Sequence, residues 1–407
     1  MKKKMYLITK EYPVGNAETA FIDPEYKMLS EAYDISIVVT ELKNGETSGP
    51  EDICRVLDLN PSFYEKLLCL IRFLFHKDAW IEIGTIIRER KNITGNIFRA
   101  MMYGTFAEAF FLRLKKAVRL SADTDAIFYF YWWDYKCLGL TMHKKEYPNI
   151  KIITRTHGYD LYDERELYGR QYFKPQMDRE LDRIMFVARY GKQYYLNKYK
   201  KNDSIKYPVH CLGVHDPKVN LENGKSGVFH IVSCSNAIPL KRIELIIEGL
   251  AGIRDLEIKW VHMGDGSELE HLKDMAREKL GENVDYNFMG RILNKDVIGY
   301  YRENNVNCFI TTTSTEGNPV SVQEALSFGI PIIATSVSDI PLMIDRNGIL
   351  LCENPTGDEV AEAVRTIAAM DNSDYIGLRK HSYHIYLRDY NAEANHVRLM
   401  EDLKQMT

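Results

Sequence analysis

The chain has 407 residues, 45% of them hydrophobic and 27% charged, with a net charge of −4. That length suits two α/β domains better than one core. The balance is that of a soluble globular protein, and the charge gives no general pull toward nucleic acid, so no nucleic-acid partner is expected. No apolar run approaches the roughly 20 residues of a membrane span. The basic start MKKKMY runs straight into a strand without the apolar core of a signal peptide. Seven cysteines with no C-x-x-C pair argue against a disulfide framework, and Cys234 and Cys308 read as small core residues. A reduced, cytoplasmic protein is expected.

In chain order, strands are predicted at Met5–Thr9, Asp34–Val39, Ala126–Tyr131, Ile150–Arg155 and Arg183–Val187. A second series follows at Phe229–Ser233, Ile258–Met263, Val284–Phe288, Cys308–Thr312 and Pro331–Thr335. Helical stretches alternate with them, which predicts two doubly wound parallel sheets in tandem, with ligands beyond the carboxyl ends of the strands. The loop Tyr12–Ile22 (YPVGNAETAFI) follows the first strand. Its Gly15 would let backbone approach a ligand closely, and Glu18 offers a carboxylate to hydroxyls. Residues 63–76 and 106–120 are helical, apolar and basic. Ordinary core helices are the commoner explanation; the alternative is that Arg113, Lys115, Lys116 and Arg119 meet an anionic membrane surface or a lipid-linked acceptor. Asp123-Thr124-Asp125 has a metal-type spacing but precedes a strand, which puts it at the wrong end of the sheet. In Tyr129–Tyr135 (YFYWWDY), Trp132, Trp133 and Asp134 could face acceptor sugars, with the earlier aromatics in the core.

At the next strand end, Arg155–Tyr162 reads RTHGYDLY. An imidazole at His157 can hydrogen-bond a sugar hydroxyl, and Asp160 can hold that ring or bind a hydroxyl itself. The polar, Pro- and Gly-marked stretch Tyr207–Lys218 divides domains 1–208 and 209–389. After the first strand of the second domain comes Ser233–Glu244 (SCSNAIPLKRIE). Its Lys241 and Arg242 open a helix, where cations are unfavourable unless an anion is bound; Ser235 and Asn236 precede them. Gly264 and Gly266 form a turn after the following strand, and Arg291-Ile292 another, where Arg291 could stack on a base or ribose.

The richest stretch is Glu316–Glu324 (EGNPVSVQE), set between a buried strand and a helix that ends in Gly329. Pro319 suits a first helical turn. The free amides of Gly317, Asn318, Val320 and Ser321 would then point out of a helix N-terminus toward an anion such as a diphosphate. Glu324 could accept hydrogen bonds from a ribose, and Glu316 could meet a second polyol on the far side of the phosphates. A sugar, a diphosphate and a ribose in a row describe a nucleotide-sugar.

This stretch resembles the E-x7-E motif of glycosyltransferase family 4, retaining enzymes of the GT-B fold. RTHGYDLY and YPVGNAETAFI resemble segments of a polysaccharide-assembly branch of that family, and LGVH at 212–215 resembles its interdomain linker. The resemblance implies two Rossmann-like domains facing a central cleft, the first binding the acceptor. It also implies a last helix, about 390–407, that packs back on the first domain. Glu316, His157, Lys241 and Arg242 would carry the chemistry: Glu316 and His157 at the donor sugar, Lys241 and Arg242 at the diphosphate. Gly15, Glu18, Asp160, Ser235, Asn236, Gly264, Gly266, Arg291, Ile292, Gly317, Asn318, Pro319, Val320 and Glu324 would line the substrates. The arginine that often follows the first strand of the second domain in this family is absent, with Ser235 and Asn236 near its place. The implied reaction moves a sugar, from a UDP-sugar before a GDP-sugar, to a hydroxyl of a glycan or polyprenyl-linked glycan. It needs no metal and no cofactor beyond the nucleotide-sugar co-substrate. A role in bacterial surface polysaccharide synthesis at the inner face of the membrane follows from the branch resemblance. A nucleotide-sugar epimerase of related architecture and a non-catalytic nucleotide-sugar-binding subunit are the alternatives.

Overall fold

The structure, a computed structural model, describes residues 2–14, 18–41, 54–57, 59–118, 120, 125–225 and 227–406. Gly15, Arg119, Asp123 and Thr124 lie outside the described residues. The chain divides into two compact units, Met1–His210 with Arg398–Thr407, and Cys211–Val397.

The first unit runs β1 (Lys3–Thr9), α1 (Thr19–Ala32), β2 (Tyr33–Val39), β3 (Cys54–Val56), α2 (Phe63–Leu74), α3 (Lys77–Glu89), α4 (Ile93–Ala117), β4 (Ile127–Phe130), α5 (Tyr135–Met142), β5 (Lys151–Thr156), α6 (Gly158–Leu161), α7 (Lys174–Glu180), β6 (Arg183–Phe186) and α8 (Arg189–Tyr199). Its strands form one parallel sheet in the order β3-β2-β1-β4-β5-β6. Successive side chains of β1 serve opposite faces: Tyr6 and Ile8 enter one apolar cluster, Met5 and Leu7 the other. Both faces are therefore covered, which is why the strands read as continuous apolar runs.

The 106–120 stretch belongs to α4, and Ala107, Phe110, Phe111 and Leu114 are buried in the core. Arg113 donates to Ala109 O (3.3 Å) and faces Glu65 (3.5 Å), while Lys115 and Lys116 are exposed, so one side of this helix is core and its last turn carries surface cations. A polar knot ties it to its neighbours. Glu108 of α4, fully buried, accepts from Arg72 (3.1 Å), His76 (3.0 Å) and His143 (2.9 Å). Burial alone would raise this carboxyl; the hydrogen bonds from His143, His76 and Arg72 outweigh it and bring it down to about 2.

The second unit runs β7 (Phe229–Cys234), α9 (Ile243–Ala251), β8 (Ile258–Met263), α10 (Leu269–Lys279), β9 (Val284–Phe288), α11 (Asn294–Glu303), β10 (Cys308–Thr311), α12 (Val320–Ser327), β11 (Ile332–Thr335), α13 (Ile340–Met343), β12 (Gly348–Leu351), α14 (Gly357–Ala369) and α15 (Asn372–Ile385). The sheet order is β12-β11-β10-β7-β8-β9, all parallel. The order reverses between β7 and β10. Such a reversal, at the carboxyl ends of those two strands, is the usual ligand position of an open α/β sheet. The short edge strands β3 and β12 were not anticipated from the sequence. The final helix α16 (Ala392–Lys404) sends Leu399 and Leu403 into the cluster that holds Met5 and Leu7, and its Asp402 meets Arg183 (3.3 Å) and His210 (3.4 Å).

Candidate functional site

In the second unit the loops after β7 and β10 are stitched together. The Ser314 amide and hydroxyl both donate to Leu240 O (2.9 and 3.1 Å), and the Thr312 hydroxyl donates to Arg242 O (2.8 Å). This fixes a short helical turn, Pro239–Lys241, against residues 312–316. Across that seam the Lys241 ammonium donates to the Glu316 carboxylate. Their side chains are 17% and 15% exposed, so the pair is sheltered yet reachable from solvent. The Glu316 amide donates to the Ser338 hydroxyl (3.2 Å), which pins its backbone.

Arg242, expected at the diphosphate, is anchored to the neighbouring loops. It sits in the left-handed region (φ 49°). Its guanidinium donates to Thr312 O (2.7 Å), Thr313 O (3.0 Å), Glu353 O (2.7 Å) and Asn354 Oδ1 (2.9 Å). Through three backbone carbonyls and one side chain, it braces the loops that carry Lys241 and Glu316.

Pro319 caps α12 and does not enter its first turn; the first helical residue is Val320. The Pro319 carbonyl accepts from Val322 (3.1 Å) and Gln323 (3.2 Å). The amides of Gly317, Asn318, Val320 and Ser321 form no hydrogen bond with a described residue. Asn318 Oδ1 accepts from Gln323, which shapes this turn. One turn into the helix, Glu324 is 4% exposed and accepts from Asn294 of α11. Burial raises its carboxyl to about 7, against the opposing pull of that hydrogen bond. Lys241, Glu316, the open amides and a strained buried acid thus gather at one strand switch point. Strongly shifted acids in such places are typical of functional sites.

Two further loops close the floor. A Cβ on Gly264 would lie 1.8 Å from Ser235 O, and one on Gly266 2.3 Å from Ala237 O. These glycines let the turn after β8 approach the loop after β7, where Asp265 O accepts from the Ala237 amide (3.0 Å). Gly264 donates to Gly290 O (2.9 Å), which brings in the Arg291–Ile292 turn. Arg291 and Asn236 are exposed, and Ser235 and Ile292 half-buried. Asn294 and Ser338 were missed from sequence; neither carries a local signal, because their partners lie 30 and 22 positions away.

In the first unit, His157 ends β5 with its ring against Trp132 (centroids 4.2 Å apart) and Tyr131 (5.2 Å). Burial lowers its pKa below the ordinary 6.5, which favours the neutral imidazole. Its Nδ1 is 3.8 Å from Asp160, too long for a hydrogen bond. Asp160 instead accepts from the backbone amides of His157 (2.6 Å) and Trp133 (2.9 Å), joining the ends of β5 and β4. Glu18 is likewise occupied: the amides of Lys10 (3.1 Å), Glu11 (2.7 Å) and Tyr12 (2.9 Å) and the Trp132 indole all donate to it. It folds the loop after β1, which leaves little capacity for a substrate hydroxyl. Trp133 is fully buried and presents no ring face to a sugar, and Asp134 caps α5 and pairs with Lys136 (2.6 Å). Trp132 is half-buried beside Tyr159, with the Lys10 ammonium over both rings (4.8 and 4.2 Å). Lys10, a cation at the end of β1, lacks any motif that would have drawn attention to it. It lines a cavity of about 320 Å³ with Glu41, Tyr103, Asp134, Tyr135 and Tyr159.

Among the described residues, the convergence of metal-ligating types is the His76–Glu108–His143 knot, which sits among α3, α4 and the end of α5 in the first unit and not at the loops of β7 and β10.

Residues 228–370 match the family described as "Glycosyl transferases group 1". A curated relative from Haemophilus influenzae, an "uncharacterized glycosyltransferase", is 29% identical over 191 residues, 45% of this chain. The match spans half of that relative's length. Among solved structures, sucrose-phosphate synthase from Thermosynechococcus elongatus aligns over 100% of this chain and 99% of its own, at 15% identity and a TM-score of 0.67. The lipopolysaccharide outer core galactosyltransferase WaaB aligns over 98% and 99%, at 17% identity and a TM-score of 0.64. Anabaena HepE in complex with UDP-glucose aligns over 99% of each chain, at 13% identity and a TM-score of 0.62. These structures establish the GT-B fold for this chain. Together with the matched domain, they support a glycosyltransferase.

Proposed function

We propose that this protein is a retaining glycosyltransferase. It takes a sugar from a nucleotide-sugar, a UDP-sugar before a GDP-sugar, and passes it to a hydroxyl of a glycan or lipid-linked glycan in bacterial surface polysaccharide synthesis. The observation that carries this reading is the gathering, on the loops of β7 and β10, of the Lys241–Glu316 pair, four unbonded amides and buried Glu324. A diphosphate suits Lys241 and the amides of Gly317, Asn318, Val320 and Ser321. A ribose suits Glu324. Glu316 takes the donor sugar. The choice of a uridine nucleotide is supported by the UDP-glucose in the Anabaena structure.

In the proposed reaction the bond from the sugar's anomeric carbon to the diphosphate breaks. The acceptor oxygen bonds to that carbon on the same face, and its proton passes to the departing phosphate oxygen. The developing charge falls on the diphosphate, where a fixed cation and preorganised amides stabilise it. This requires no divalent metal in the reading offered. Nucleoside-diphosphate release from UDP-, GDP-, ADP- and TDP-sugars, with EDTA present, tests it in wild type and Glu316→Ala. EDTA-resistant release from one donor, cut about 100-fold or more in the variant, is expected. Near wild-type release by Glu316→Ala would remove Glu316 from the reaction.

A further inference from the structure

We propose that α2 and the start of α3 form a docking face for an anionic phospholipid bilayer. A helix on the surface of a globular unit ordinarily has one apolar stripe, facing the core. α2 has two. Cys69 and Phe73 are buried against the unit. On the opposite side Tyr64, Leu67, Leu68, Ile71 and Phe75, at i, i+3, i+4, i+7 and i+11, are 82, 48, 56, 45 and 86% exposed. Phe63 lies against Tyr64 (rings 5.9 Å apart) and extends the stripe. Trp80 of α3 joins it at the other end, because its indole nitrogen donates to Leu74 O (2.9 Å) and turns the half-exposed ring outward. The patch amounts to on the order of 800 Å² of apolar side chain, beyond the roughly 300–600 Å² of the largest patch on an ordinary monomer.

Charge selects the occupant. Every acid of these two helices is already engaged by the protein. Glu65 closes the N-terminus of α2 and faces Arg113, Asp78 pairs with Arg179, and Glu82 and Glu89 both pair with Arg170. Lys66, Lys77 and Arg88, with Arg90 and Lys91 just beyond, form no ion pair with a described residue. An apolar, aromatic stripe on helices whose cations have no acid partner among the described residues stands out on a chain whose net charge is −4. A second copy of the chain meeting it about a two-fold axis would bring those cations against one another. Anionic headgroups would neutralise them while the rings and aliphatic chains enter the acyl boundary, as an in-plane amphipathic helix does.

The test uses the full chain and needs no turnover, so its failure leaves the transfer reading untouched. Co-sedimentation is measured with vesicles of phosphatidylcholine alone and of phosphatidylcholine mixed with phosphatidylglycerol. Binding to the mixed vesicles only, weakened by salt, is expected. The double variant Tyr64→Ser/Phe75→Ser should lose about tenfold or more in partitioning, with its circular dichroism unchanged because both side chains are exposed. Lys66→Glu/Lys77→Glu should erase the preference for the anionic vesicles. Absence of wild-type binding, or binding that survives both double variants, would overturn the proposal. So would a concentration-dependent dimer in light scattering that Tyr64→Ser/Phe75→Ser dissolves without any vesicle binding, since the face would then belong to a second copy.

Discussion

Glu324→Gln separates what this side chain contributes to folding from what it contributes to ligand binding. The native carboxyl is raised to about 7 by burial, against an ordinary 4.5. Between those values the folded protein keeps a proton that the unfolded chain has released. This group's effect on stability is therefore most favourable below about pH 4.5, declines as pH rises through 7, and is constant above. The gap corresponds to about 3.5 kcal/mol at roughly 1.4 kcal/mol per pKa unit, an upper figure because neighbours relax around the charge. Glutamine has the same shape, keeps a carbonyl oxygen for the Asn294 amide, and never ionises. The variant should match wild type in urea or thermal unfolding at pH 4.5, and exceed it by up to about 3.5 kcal/mol at pH 8. Uridine diphosphate, followed by calorimetry, should show the reverse. In the proposed function ribose hydroxyls donate to the carboxylate, and on that reading wild-type affinity should climb from pH 5 to pH 8. The variant should bind about tenfold more weakly at pH 8, the difference between a charged and a neutral acceptor. Equal stability at both pH values would refute the strained-acid argument. A variant more stable at pH 8 with unchanged nucleotide affinity would leave the strain without a function.

Lys241→Ala should weaken uridine diphosphate binding by about 10- to 100-fold, the range of a hydrogen bond to a charged group, while uridine alone binds as before; equal losses for both ligands would move the phosphate site elsewhere. Gly266→Ala should destabilise by about 1–3 kcal/mol through overpacking, since its Cβ would stand 2.3 Å from Ala237 O. Because no left-handed backbone is involved at that glycine, wild-type stability in the alanine variant would mean the two turns approach less closely than described. Glu18→Gln should lower stability without changing kcat for transfer, because the carboxylate is spent on three backbone amides and an indole. A kcat loss with stability intact would return Glu18 to the substrate.

What the sequence by itself determined was the part set by local chemistry. Both sheets are parallel and covered on both faces, so their central strands appear as apolar runs such as Ile127–Phe130 and Ile332–Thr335, visible without knowing any neighbour. The turn–helix Glu316–Glu324 was legible for the same reason: a proline, a glycine and open amides at a helix start are properties of a few consecutive residues. The short edge strands β3 and β12 escaped, because three or four residues paired on one side leave almost no pattern. Partners distant in the chain were decided by tertiary structure alone. Arg242 and Glu18 are chemically suited to phosphates and hydroxyls, and only the fold shows them bonded to Thr312, Thr313 and Glu353, and to Lys10, Glu11 and Tyr12. The apolar stripes follow the same logic. Helical periodicity records that α2 and α4 are apolar, but whether a stripe is covered depends on what packs there: Phe110 and Leu114 are enclosed in the core of the first unit, while Tyr64 and Phe75 stay largely exposed.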